Sequence, residues 1–209
     1  VKRGGYIDCT AGSDEVAVKE DARKLFDLLH REGVNPDHVS LSSDAYGSQP
    51  RFNDAGECVG LTYASPKYLH KTIPELVRLL VDVHGFELDE AVSVVRRMVA
   101  YTNHTILAEA LEKWPLESLK TVAPRIAEIV VKLDELERAE NGSNDAVAIV
   151  RDGVVHMAHM AIHYGFSING VAALHTKILE DTELHPFYEL YPEKFSNKTR
   201  GITFRRWIM

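Results

Sequence analysis

The segment Tyr101-Thr-Asn-His-Thr105 sets the strongest limit on how this chain folds. A β-branched, aromatic run follows an apolar helical pattern and ends in polar side chains. The next residues, Ile106 to Pro115, read as a helix with acidic residues in its early turns. An α/β protein presents polar groups in this way, at the carboxyl end of a parallel strand, where such folds bind ligands.

The flanking pattern agrees. Tyr6-Ile-Asp-Cys-Thr10 is β-prone, Ala22, Leu25, Phe26 and Leu29 recur at helical spacing, and His38 to Ser43 is β-prone again. A strand, helix and strand with short connections predict a right-handed parallel crossover. Downstream, Leu76, Leu79, Leu80 and Val83 mark one helix ended by Gly85. Ala91, Val94, Val95 and Met98 mark a second, begun by Asp89 and Glu90.

Leu119, Val122, Ile126, Ile129, Val130, Leu133 and Leu136 form a longer stripe, in which Pro124 must start a new turn or kink the helix. Arg151-Asp-Gly153 between two Val-rich runs predicts a hairpin. Ala100 to Thr105 and Met157 to Ile162 read as buried strands. Asn169-Gly170 reads as the start of a helix carrying Val171, Leu174, Ile178 and Leu179. The predicted fold is α/β: a mostly parallel, doubly wound, Rossmann-like sheet built from βαβ units, with helices on both faces.

A chain of 209 residues with 24 Lys and Arg against 31 Asp and Glu carries a formal charge of −7. With no basic cluster, that balance argues against nucleic-acid binding. Charges interrupt every apolar run within about ten residues, too soon for a membrane helix. Cys9 and Cys58 fit no metal spacing and read as reduced thiols of a cytoplasmic protein. Val1 at the start and the apolar Trp207-Ile-Met209 at the end lead us to expect a piece of something longer. An exposed apolar end also predicts self-association.

Two resemblances are carried by particular strings. Gly4 to Thr10, then Ser42-Ser-Asp-Ala-Tyr-Gly-Ser-Gln-Pro50, resemble the last barrel strands of isoaspartyl dipeptidases, zinc enzymes of the amidohydrolase superfamily. The resemblance spans residues 1–71 and implies a metal-contacting, proton-handling role for Asp44 and a substrate-carboxylate contact for Ser48. A single carboxylate does not hold a catalytic zinc, which takes about three protein ligands. Asp44 therefore reads as a remnant.

Residues 72–209 resemble the α-1,4-glucan phosphorylases, the glycogen and maltodextrin phosphorylases. The resemblance rests on Ala100 to Pro115, Met157-Ala-His-Met-Ala161, Asn169 to Thr176, Phe187 to Phe195 and Asn197 to Trp207. It implies that His104 contacts the glucosyl unit and that Glu109 lines the same pocket. A neutral imidazole suits a hydroxyl, having one donor and one acceptor. Arg200 stands where the family has an Asn that contacts the sugar, and His70 lacks its usual neighbours. The family breaks α-1,4 bonds with phosphate and uses pyridoxal phosphate held on a lysine of a second domain. That lysine is expected beyond Met209. The chain is thus expected to be catalytically incomplete and to bind glucose or maltodextrin at most.

The joined strings also admit a chimeric scaffold without activity. His156, His159 and His163 read as scattered structural histidines, with His156 and His159 on opposite faces of a strand.

Overall fold

The computed structural model describes residues 7–10, 27, 39–42, 48–52, 58–63 and 69–199. Strands β1 (Ile7–Thr10) and β2 (Val39–Ser42) pair in parallel, with Ile7 opposite Val39. The residue between them that is described, Asp27, is helical, as the crossover pattern requires. Strands β3 (Ser48–Phe52) and β4 (Cys58–Tyr63) form an antiparallel hairpin that the sequence pattern did not announce.

Helix α1 (Leu69–Arg78) passes into one π-helical turn, Leu79–Val83. It packs on α2 (Leu88–Arg96), whose first turn carries Asp89 and Glu90 at the positive end of the helix. Strand β5 (Ala100–Thr102) follows. Pro124 divides the long apolar stripe into α3 (Leu116–Val122) and α4 (Pro124–Asn141), taking the first helical position, where its missing N–H costs nothing. Val122 is exposed, so it leaves the stripe at that break.

Strands β7 (Val150–Arg151) and β8 (Val154–His156) form the expected hairpin. Asp152 and Gly153 both have positive φ, 52° and 73°, which is the type I′ geometry favoured by the right-handed twist of the strands.

Several expectations fail. Residues 106–115 form no long helix. They make a single 3-10 turn at Ala108–Ala110 and then strand β6 (Lys113–Pro115), which pairs with β8. Leu, Ala and Glu are good helix formers, but helix propensity is a small term per residue, and pairing with a ready hairpin edge outweighs it. Residues 157–164 are helix α5, not strand. Met157, Met160, Ala161, Ile162, His163 and Tyr164 are all buried, so no polar face remains to reveal the helical period.

Strand β9 (Ser167–Gly170) takes the centre of a three-stranded parallel sheet, between β5 and β10 (Phe195–Asn197). Helices α6 (Ala173–Asp181) and α7 (His185–Leu190) connect β9 to β10. The molecule is therefore α/β with a parallel sheet flanked by helices. Leu174, expected to face inward, is exposed, while Leu179 is buried.

One core is formed by α1, α2, α4 and α5 through Ile73, Val95, Met98, Leu133, Met160 and Tyr164. A second gathers Val147, Ile162, Ile168, Leu179, Leu184 and Phe187. Tyr101 packs against both. Strand β5 is thus wedged between the two clusters, and this fixes where its polar end emerges.

Candidate functional site

Because β5, β9 and β10 run parallel, their carboxyl ends lie at one edge of the sheet. Thr102 stands opposite Asn169, and Asn197 opposite Gly170. This is the edge at which open α/β sheets place ligands.

Hydrogen bonds tie the strand ends together. The Asn103 backbone N–H donates to the Asn169 carbonyl at 2.9 Å, and the Thr102 hydroxyl donates to Asn169 Oδ1 at 2.9 Å. On the far side, the Lys198 N–H donates to the Gly170 carbonyl, and the Thr176 hydroxyl reaches Asn197 Oδ1 at 3.3 Å.

Asn103 is the buried anchor of the loop that leaves β5. Its Nδ2 donates to the Tyr101 hydroxyl at 3.2 Å, and its Oδ1 accepts from the Thr105 N–H at 2.8 Å. The Thr105 hydroxyl then accepts from the Leu107 N–H at 3.0 Å. These two side-chain turns replace helix bonds over the same residues, so the loop is a built structure. Burial pushes the Tyr101 phenol up to about 12, against a smaller lowering by Asn103, so it stays a neutral donor and acceptor.

His104 follows this anchor and is exposed. Glu109, also exposed, lies on the Ala108–Ala110 turn of the same segment. Ser48 opens β3, opposite Tyr63, in a different sheet from β5, β9 and β10. Asp44 and Arg200 lie outside the described residues.

Three residues escaped the sequence reading: Asn169, Asn197 and His175. Asn169-Gly170 closes a strand, and the helix begins only at Ala173. In the first turn of α6, His175 Nδ1 accepts the Val171 N–H at 3.1 Å, which leaves the ring proton on Nε2. That Nε2 is buried without a hydrogen-bond partner among the described residues. A Cβ on Gly170 would come within 2.8 Å of the His175 ring and 2.4 Å of the Thr176 hydroxyl. Only glycine lets the helix sit this close to the strand end. The readable signal was a polar pair placed just before a helical pattern, like the one after Tyr101.

The edge thus offers neutral amides, hydroxyls and imidazoles, which both donate and accept hydrogen bonds. Such a set suits an uncharged polyhydroxyl ligand.

His156 and His159 are committed elsewhere. Because residues 157–164 are helical, His156 and His159 do not point to opposite faces of a strand. Their rings stack at 4.6 Å. His159 Nδ1 bonds the Ala148 carbonyl at 2.8 Å, and its ring meets Phe187 edge-on. Among the described residues no group of three or more His, Cys, Asp or Glu could hold a metal ion. No helix among them is long and apolar enough to cross a membrane.

A sequence profile of the carbohydrate phosphorylases matches residues 69–209. The chain is 63% identical over 137 residues to the maltodextrin phosphorylase of Streptococcus pneumoniae. It is 40% identical over 150 residues to the glycogen phosphorylase of Bacillus subtilis, and 43% over 148 residues to the muscle form of human glycogen phosphorylase. Each alignment covers 66% of this chain, and the chain spans 18% of the length of these curated relatives.

Proposed function

The chain belongs to the carbohydrate phosphorylase family, and we propose that it forms part of the sugar-binding side of a glycogen or maltodextrin phosphorylase, a glycosyltransferase that splits α-1,4-glucans with phosphate. The observation that carries this reading is the shared carboxyl edge of β5, β9 and β10, which carries Asn103, Asn169 and Asn197 and from which the exposed His104 follows directly after Asn103. His104 hydrogen-bonds a glucosyl hydroxyl, and Glu109 on the adjoining turn lines the same pocket. The ligand is glucose or maltodextrin.

Two described lysines, Lys194 and Lys177, are committed in ways that do not fit pyridoxal phosphate. Lys194, a lysine drawn into the core, donates to the carbonyls of Ile162 and His163 at 3.2 and 3.1 Å and lies 4.0 Å from the centre of the Tyr191 ring. Lys177, on the surface, is paired with Asp181. The chain by itself binds sugar and does not phosphorolyse it.

Thermal unfolding with and without maltodextrin tests this reading, because a ligand that binds only the folded state raises the midpoint. A raised midpoint without release of sugar phosphate supports it. An unmoved midpoint at millimolar maltodextrin removes it.

For residues 1–71 a second reading is an amidohydrolase-type βαβ piece, with residual metal or acidic-dipeptide binding around Asp44 and Ser48. It is favoured by the parallel β1–β2 pair and by a phosphorylase match that begins only at residue 69. Zinc-dependent release of aspartate from an isoaspartyl peptide, lost in Asp44→Asn, would carry it. No release in the presence of zinc would exclude it.

A further inference from the structure

Glu137 sits on α4 at 1% exposure, and both of its carboxylate oxygens are buried without a hydrogen-bond partner among the described residues. Most polar groups packed around it are committed elsewhere, the buried Nε of Arg96 being an exception. On its own helix, Arg138 is bonded to Asp134, to Asp145 and to the Val150 carbonyl. From α2, Arg96 forms a forked pair with Glu140. Lys194 caps two carbonyls at the end of α5.

The neutral donors are largely engaged as well, leaving one N–H of the Asn141 amide on the Glu137 side. Asn141 Nδ2 donates to the Tyr191 hydroxyl at 2.7 Å, and that hydroxyl donates to His163 Nδ1 at 2.9 Å. His163 Nε2 in turn donates to the Val147 carbonyl at 2.8 Å. The same Nε2 is the closest approach of His163 to Glu137, at 3.6 Å, but its proton points at Val147. Tyr164 from α5 gives its hydroxyl proton to the Leu133 carbonyl. Among the described residues a bare carboxylate in this place has one poorly aimed amide N–H, from Asn141, to replace water, and no cation bonded to it.

We propose that Glu137 is a buried proton-binding group that seats the Tyr191–Lys194 turn, and with it β10, against α4 and α5 when protonated and loosens that seam when ionised. Tyr191 and Lys194 both face this cluster, and Phe195 directly after them opens β10. A charge on Glu137 must draw in water or pull Asn141, Tyr191 or His163 out of their chain. Either rearrangement disturbs the turn that leads to Asn197 at the sheet edge.

Burial, with the negative charge of Asp134 adding to it, pushes the Glu137 carboxyl up to about 7. Because the folded value lies above the unfolded one, the stabilising effect of its proton is complete below about pH 4.5. It is lost as pH rises through about 7. His159 and His163, both held well below their ordinary range, shift stability in the opposite sense over part of this window. The readout is therefore the difference between wild type and Glu137→Gln.

The 209-residue chain should be followed from pH 5 to 8.5 in three ways. Carboxyl carbon resonances should show one glutamate titrating near neutrality, absent in Glu137→Gln. Amide exchange of Phe195–Asn197, corrected for intrinsic rate, should lose protection across that window in wild type and not in Glu137→Gln or Glu137→Leu. The unfolding constants of wild type and Glu137→Gln should diverge by on the order of a hundredfold. A Glu137 carboxyl titrating near 4.5 would overturn the proposal. So would equal pH slopes of β10 protection in wild type and both variants.

Discussion

The backbone N–H of Asn103 donates to the carbonyl of Asn169 at 2.9 Å, joining the ends of β5 and β9 at the point where both leave the sheet. The Asn103 side chain turns away from that bond, between the Tyr101 hydroxyl and the Thr105 amide. One residue thus aligns two strand ends and shapes the loop that presents His104.

Asn103→Ala leaves the buried Tyr101 hydroxyl and the Thr105 amide without their partner. We expect a loss of about 2 kcal/mol in stability, the usual cost of stranding buried polar groups. A urea-denaturation midpoint measures it. Asn103→Asp keeps the acceptor for Thr105 and should lose less.

Asp134 provides a second anchor, for the hairpin. Its Oδ1 accepts the Val150 N–H at 2.8 Å, while Arg138 one turn later binds Asp134 Oδ2 and donates to the Val150 carbonyl at 2.9 Å. Two side chains of α4 therefore bond both backbone groups of Val150, as a neighbouring strand would. Asp134→Ala should cost about 3 kcal/mol, because it leaves a buried amide and a half-buried guanidinium unsatisfied. A double-mutant cycle with Arg138→Ala should return a coupling of about 1 kcal/mol or more. Additive losses would show that the pair does not act as one clamp.

Acid should weaken the fold through the histidines of α5. Burial holds His159 and His163 at about 4, against a smaller opposing effect of the Ala148 and Val147 carbonyls. A depressed value means the folded state prefers the neutral ring. That stability is present above about pH 6.5 and is lost as pH falls through about 4. For His163 the loss is up to about 3 kcal/mol. Denaturation midpoints across pH 4 to 7 should fall for wild type and fall less for His163→Gln.

The hairpin turn gives a test confined to the backbone. Gly153 has φ +73° with open space where a Cβ would stand, so any penalty for a side chain comes from φ alone. Gly153→Ala should cost about 1 kcal/mol.

Much of this was legible in the sequence. The helices α2 and α4 have one buried and one wet face, and Pro124 and Asp152-Gly153 act through backbone geometry that needs no neighbours. What stayed hidden depended on neighbours. Lys113 to Pro115 become a strand only because β8 lies beside them. Helix α5 lacks a polar face because both core clusters draw on its side chains. At the site, His104 and Glu109 could be singled out by family resemblance. His175 could not, because its role depends on the contact with Gly170 across a turn.

The central claim is that the edge of β5, β9 and β10 binds an α-glucan sugar through His104. Calorimetric titration of maltodextrin into wild type and His104→Ala tests it most directly. His104 is exposed, so the substitution should change stability by less than about 0.5 kcal/mol. The account predicts binding by wild type and a loss of roughly tenfold in affinity in His104→Ala, the worth of one hydrogen bond to a sugar hydroxyl. Equal affinities in the two proteins, or no binding by either, would contradict it.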